Sequence, residues 1–132
     1  MKATVVIALL LAVGFVGCSG KTALRDLSDQ EQQKLADEAY KRICDLVRAD
    51  LKYPKDAKFS KKYECLIGTP YDANNISFMI ESHVRVRRYK SLEYYDKKRI
   101  DAAIIYDGDT EKWSVSFLWC GDKELIDNTN RP

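Results

Sequence analysis

The sequence contains one histidine, His83, and none of its four cysteines forms a Cys-x-x-Cys pair. Zinc sites usually combine four such ligands at short spacings, so this scarcity argues against a metal centre. Phosphate-binding loops, nucleophile elbows and zinc-protease helices are also absent. The formal net charge is only +2, whereas nucleic-acid-binding domains usually carry a strong basic excess. We therefore expect no metal, no cofactor, no catalytic residues and no nucleic-acid partner.

The longest apolar run lies at the N-terminus, where Lys2 precedes the uncharged residues 3–16. A membrane-spanning helix needs about 20 apolar residues, so this run is too short to span, but it has the length of a signal-peptide core. The run ends in FVGC, residues 15–18, which resembles the lipobox of bacterial lipoproteins. An ordinary secretory signal cleaved near Gly20 is the alternative.

The lipobox resemblance implies a cellular address. Residues 1–17 would be removed as the signal peptide, and Cys18 would carry a diacylglyceryl group and a further acyl chain such as palmitate. The resemblance therefore implies an exported protein, anchored by lipid to the cell envelope. Ser19 stands where inner-membrane lipoproteins carry Asp, which implies the periplasmic face of the outer membrane in a Gram-negative host.

Three further cysteines, Cys44, Cys65 and Cys120, remain for the folded part of the chain. Exported proteins meet an oxidising compartment, so we expect one disulfide and one free thiol. Cys44 and Cys65 both fall on apolar faces of predicted elements, which favours that pair. Cys120 is the alternative partner.

A helix is predicted after a polar tether at residues 18–27. Ser28 followed three residues later by Glu31 forms a capping-box pattern. From residue 29 to 51, apolar residues recur at spacings of three and four, which is typical of a helix with one apolar stripe. Pro54 ends the pattern.

The remainder of the chain reads as strands. Period-two alternation and turn residues predict four of them, at 59–67, 76–89, 99–106 and 111–119. The last two form a hairpin around the turn at residues 107–110, and we expect Trp113, Val115, Phe117 and Trp119 to share one face. Residues 121–132 form a polar tail. These patterns predict a single α+β domain at 28–120, with one long helix packed on a roughly four-stranded antiparallel sheet in two layers.

Two short segments resemble parts of known exported proteins. Residues 51–59, LKYPKDAKF, resemble a helix-to-strand junction in small exported bacterial domains of unknown function. Residues 63–68, YECLIG, are similar to the Tyr-x-Cys strand of lysozyme-inhibitor lipoproteins, which are small barrels. The first resemblance implies a helix-plus-sheet fold. The second implies a lipoprotein that inhibits a lysozyme or a toxin.

A basic and tyrosine-containing cluster is the candidate interaction patch. Arginine and tyrosine are enriched at binding hot spots, and cations here would attract anionic lipid, an acidic glycan or an acidic protein. A solvated strand end is the alternative interpretation. The residues of this patch are Arg85, Arg87, Arg88, Tyr89, Tyr94, Tyr95, Lys97 and Lys98.

The leading functional hypothesis is a non-enzymatic, envelope-anchored binding domain. An inhibitor or immunity lipoprotein is a specific version of this hypothesis. An enzyme acting on envelope polymers is an alternative that would need His83 or clustered carboxylates to line a pocket, but His83 is expected to be an ordinary surface residue. An accessory subunit of an envelope complex is another alternative. Asp107 and Asp109 lie in too short a loop for an EF-type calcium site, so we expect a structural turn.

Overall fold

The computed structural model describes residues 23–89 and 95–128. Helix α1 runs over Asp29–Asp50. The Ser28 hydroxyl accepts the Glu31 amide at 3.1 Å, and the Glu31 carboxylate accepts the Ser28 amide at 3.0 Å. This reciprocal bonding satisfies two amides at the start of the helix and confirms the predicted capping box.

Within the described residues, six strands follow the helix and form one antiparallel sheet. The strands are β1 Lys58–Phe59, β2 Glu64–Gly68, β3 Asn75–Arg87, β4 Tyr95–Asp107, β5 Lys112–Cys120 and β6 Lys123–Asp127. Their order is β1-β3-β4-β5-β6, and β2 also pairs with β3. Since β4 occupies one edge of β3 along its whole length, β1 and β2 share the other edge.

Six strands replace the four that the sequence predicts. The expected strand at 59–67 is divided into β1 and β2, because residues between them leave the sheet edge. The carbonyls of Ser60 and Lys62 there accept hydrogen bonds from the Tyr40 and Ser82 hydroxyls. The expected polar tail contains β6, which pairs with β5. Backbone pairing with a neighbouring strand therefore outweighs the polar composition of this segment.

One face of the sheet packs against α1 and is called the inner face below. The helix contributes Ala36, Ala39, Ile43 and Val47 to this core, and all four are buried. The sheet contributes the alternate residues of β3 and their neighbours on β4 and β5, namely Ile76, Phe78, Ile80, Val84, Ile100, Ile104 and Leu118. The helix-on-sheet α+β architecture is thus confirmed. The opposite side of the sheet is called the outer face.

A bulge in β5 divides the aromatic residues of the hairpin between the two faces. Ile104 pairs with Val115, but Ala103 pairs with Phe117, so Ser116 is an extra residue. One inserted residue reverses the facing of every residue beyond it. Trp113 and Val115 therefore lie against the core, whereas Phe117 and Trp119 share the outer face. The expectation that all four share one face is wrong.

The N-terminal segment is fastened to the sheet earlier than expected. Leu24 is buried, and its amide donates to the Asn74 side-chain oxygen at 2.9 Å. The backbone carbonyl of Asn74 in turn accepts the Gly108 amide at 2.8 Å. Residues from Leu24 onward thus belong to the folded domain rather than to a tether that extends to residue 27. Within residues 23–89 and 95–128, no helix is long and apolar enough to cross a membrane.

Candidate functional site

The outer face of the sheet carries side chains in rows that run across the strands. Residues paired across antiparallel strands lie on the same face, with Cβ atoms about 4.5–5.5 Å apart. The pairing register therefore shows which side chains stand next to one another. Three of these rows have distinct chemistry.

The first, called the apolar row, spans four strands. Leu66 pairs with Met79, Met79 with Ala103, and Ala103 with Phe117. Leu66 is 73% exposed and Met79 is 51% exposed. The apolar row forms one wall of a shallow groove of about 360 Å³, to which Glu64, Glu81, Arg99 and Asp101 also contribute. Ala103 and Phe117 are part-buried, so Leu66 and Met79 supply most of the exposed apolar surface of this row. Adjacent exposed apolar residues are typical of an interaction surface.

The second, called the acidic row, lies next to the apolar row. Glu64 pairs with Glu81, and Glu81 pairs with Asp101. Arg99 forms ion pairs with both Glu81 and Asp101 and lies 3.0 Å from the Asp101 carboxylate. Trp119 is the partner of Asp101 on β5 and is 38% exposed. The acidic row therefore retains excess negative charge beside exposed aromatic surface.

The third, called the basic row, lies nearer the other end of β3. Lys58 pairs with Arg85, and Arg85 pairs with Lys97. Tyr95, the partner of Arg87, lies beside this row. Its ring centre lies 4.9 Å from the Lys58 ammonium and 5.3 Å from the Arg85 guanidinium. Arg87 lies 5.5 Å from the same ring. Cation–π contacts of this kind offset part of the repulsion between the crowded cations.

The structure divides the predicted interaction patch between the two faces of the sheet. Arg85, Arg87, Tyr95 and Lys97 lie on the outer face, as their register shows. Lys98 pairs with the buried Val84 and so lies on the inner face. Arg88 forms two hydrogen bonds to Asp96, at 3.0 and 2.8 Å. Tyr89 is half exposed, and Tyr94 lies outside the described residues. Sequence reasoning missed Lys58, which joins the basic row through the pairing of β1 with β3.

His83 lies between the basic and acidic rows on the outer face. Its side chain is exposed, and its partner across the strands is Arg99. Asp107, in the predicted hairpin turn, accepts the amides of Asp109 and Thr110 at 2.8 and 3.2 Å. Backbone bonds of this kind are those of a structural turn. No cluster of three metal-ligating side chains occurs in the part of the chain that is described.

The three cysteines of the described region are free thiols. Cys65 and Cys120 pair with the buried Ile80 and Ile100, so both lie on the inner face. Strands β3 and β4 separate them, which places them about 14 Å apart, beyond the roughly 7 Å reach of a disulfide. The fold thus argues against a Cys65–Cys120 bond, and the Cys44–Cys65 bond stays a prediction, with Cys120 as the alternative partner.

A polar network closes the inner face beside the cysteines. The Tyr40 hydroxyl lies 2.9 Å from the Ser82 hydroxyl and donates to the Ser60 carbonyl. Burial raises the pKa of Tyr40 to about 12, which keeps this hydroxyl protonated as a donor. The Tyr40 ring stacks on Tyr63 at a centroid distance of 4.5 Å. This network fastens the segment between β1 and β2 to the helix and is structural in character.

Comparison with known proteins leaves the chain without an assigned family. No family model, no curated protein and no solved structure matches it.

Proposed function

We propose that this chain is an envelope-anchored, non-enzymatic binding domain that holds a protein partner on the outer face of its sheet. The apolar row carries the proposal, because Leu66, Met79 and Phe117 form a continuous strip on the side of the sheet away from α1. Burying an exposed side chain of this size contributes about 1.5–3 kcal/mol. A partner that covers the strip would thus gain much of the free energy needed for stable binding.

Charged rows define the chemistry of the partner. The acidic row borders the apolar row, and the basic row lies about 13 Å from the acidic row along β3. A fitting partner would therefore present apolar side chains together with separate groups of positive and negative charge. Such a pattern favours a protein surface over an anionic glycan or lipid, which would match the basic row alone. His83 lines an open recess of about 410 Å³ together with Glu64 and Glu81, so an enzyme acting on envelope polymers stays the alternative.

The proposed anchor holds this surface close to a membrane. Lipid on Cys18 would be joined to the domain by residues 19–23, because Leu24 is already fastened to Asn74. Six residue steps from Cys18 to Leu24 span at most about 21 Å. The domain would then work at the envelope surface, and the periplasmic face of the outer membrane is the proposed location in a Gram-negative host.

Site-specific photocrosslinking in intact cells tests the binding surface. A photoreactive residue at Met79 is expected to give a discrete crosslinked protein, and Leu66→Glu should abolish that product by placing a charge on the apolar row. Leu46→Glu is the matched control, since Leu46 is an exposed hydrophobic residue on α1; it should leave the product unchanged. Absence of any protein product at Met79, or equal loss in both variants, would overturn the proposal.

A further inference from the structure

Two rows of like charge cross the same three strand positions on the outer face. The basic row is Lys58, Arg85 and Lys97, and the acidic row is Glu64, Glu81 and Asp101. Like charges directly opposite each other destabilise a sheet. Arg99 offsets part of this repulsion in the acidic row, and Tyr95 offsets part of it in the basic row. A bound partner of opposite charge would relieve the remainder.

The two rows are related by symmetry about the row between them. On β3, Arg85 and Glu81 each lie two residues from His83. On β4, Lys97 and Asp101 each lie two residues from Arg99, the partner of His83. A half-turn about an axis that crosses the strands through His83 and Arg99 thus superimposes the basic positions on the acidic positions. Lys58 and Glu64 follow the same relation at the edge of the sheet.

We propose that the protein partner of the outer face is a second copy of this chain, bound face to face about this axis. An isologous dimer requires a self-complementary surface, in which residue i of one copy meets residue j of the other and the reverse. Arg85 of each copy would meet Glu81 of the other, with Lys97 against Asp101 and Lys58 against Glu64. A second copy accounts for both charged rows, whereas a purely anionic or cationic partner accounts for one. This inference rests on the proposed function and names its partner.

The same half-turn covers the middle of the apolar row. Met79 lies two residues beyond Glu81, as Arg87 lies two residues beyond Arg85, so Met79 would pack on Arg87 of the second copy. Ala103 would likewise meet Tyr95. The hydrocarbon stem of arginine and the ring of tyrosine both cover apolar surface well. The middle of the apolar row would therefore lose solvent when the dimer forms.

Charges near the axis are compatible with this arrangement. Arg99 would approach its own symmetry mate, but its charge is balanced within each chain by Glu81 and Asp101. Arg87 is similarly paired with Asp56, at 3.2 Å. Exposed ion pairs are individually weak and screened by salt. We accordingly expect a dimer of micromolar affinity that weakens as the salt concentration rises.

Charge reversal on the full chain, purified in detergent, tests the dimer by analytical ultracentrifugation. Arg85→Glu alone and Glu81→Arg alone should each weaken association at least tenfold, because each brings like charges together. An equimolar mixture of the two variants should restore dimerisation, since the introduced glutamate of one chain then faces the introduced arginine of the other while the remaining native pair is kept. Rescue by mixing also shows that both variants are folded. Lys58→Glu and Glu64→Lys repeat the test away from Arg99.

The outcomes separate this inference from the proposed function. A wild-type chain that stays monomeric throughout the micromolar range, or a mixture that fails to recover while each variant shows wild-type circular dichroism, would overturn the dimer. If Met79 then crosslinks to a different protein, the binding function stands with another partner. If Met79 crosslinks to no protein, both proposals fail together.

Discussion

Gly108 occupies a position that no larger residue fits. It is buried at the end of β4, beside the segment that fastens the N-terminus. A Cβ atom there would lie 2.7 Å from the Asn74 side-chain nitrogen and 3.0 Å from a Leu24 methyl carbon. Asn74 cannot move aside freely, because its side chain bonds both the Leu24 amide and the Asp109 carboxylate. The glycine thus serves close packing, while the positive φ in this turn belongs to Glu111, at 60°.

Gly108→Ala is therefore expected to lower the free energy of unfolding by about 1–3 kcal/mol, the range for overpacking a filled site. Urea denaturation followed by circular dichroism measures the change. Glu111→Gly is the control in the same turn: it relieves a left-handed backbone conformation and should leave stability unchanged or raise it by under about 1 kcal/mol. An unchanged midpoint for Gly108→Ala would contradict the packing argument.

The Cys65 thiol should react slowly with alkylating agents, because it stays protonated at neutral pH. Burial raises the pKa of its thiol to about 11, and only the thiolate reacts with alkylating agents. In the reduced protein at pH 8, about one Cys65 thiol in a thousand is ionised, so its alkylation by iodoacetamide should be at least a hundredfold slower than in urea. The rate should rise about tenfold per pH unit up to pH 11. Peptide mass spectrometry follows this reaction, and a rate equal to that in urea would contradict the prediction.

The junction between α1 and the β1–β2 edge depends on one hydroxyl network. Tyr40→Phe removes the hydroxyl that contacts the Ser60 carbonyl and Ser82, but keeps the ring that stacks on Tyr63. We expect a loss of about 1–2 kcal/mol, because buried polar groups lose their partner. Tyr71→Phe is the control, since Tyr71 is 87% exposed, and it should change nothing.

Ser82→Ala should be coupled to Tyr40→Phe, because both residues belong to the same network. The double variant is expected to lose less stability than the two single losses together, by at least about 0.5 kcal/mol. Urea denaturation of the three variants measures this coupling. Strict additivity would show that the two hydroxyls act independently.

Elements with a strong local signal are readable from the sequence. The helix start follows from Ser28 and Glu31, whose bonds form within one turn. Strand β3 follows from its alternation, because its even-numbered residues face the core. The bulge at Ser116 has no such local signal, since it depends on how β5 settles against β4. The sequence alone therefore does not predict that Phe117 and Trp119 lie on the outer face.

The rows of the candidate site are still harder to foresee, since each depends on pairing between distant segments. The basic row needs Lys58 placed against Arg85, and the apolar row needs Leu66 placed against Met79. Period-two patterning identifies which side chains share a face of one strand, but not which residues stand opposite on the next. The sequence identifies a group of basic and tyrosine residues that includes Arg85, Arg87, Tyr95 and Lys97. The symmetry of charge about His83 follows only from the pairing register.

At the scale of the whole molecule, the described residues form a two-layer domain in which one helix covers the inner face of the sheet and leaves the outer face uncovered by any described element. The ends of the sheet differ in role. Leu24 is fastened near Asn74, whereas the basic row lies about 34 Å away along β3. The half-turn of the proposed dimer reverses the strand direction, so the Asn74 ends of the two copies would point in opposite directions. Both tethers, each at most about 21 Å long, would then reach one membrane only with the strands lying along its surface.

The last prediction concerns the lipid anchor proposed at Cys18. In producing cells, the wild-type chain should fractionate with membranes, and its N-terminal peptide should begin at a cysteine whose mass includes acyl chains. Several acyl chains are needed for stable attachment, because each buried methylene contributes only about 0.8 kcal/mol. Cys18→Ser should abolish this mass and remove the folded domain from the lipid-modified membrane fraction, and Cys65→Ser is the matched control that should alter neither. A mature chain that begins near Gly20 and is released by salt would instead show an ordinary secretory signal, and the binding surface would then act without a tether.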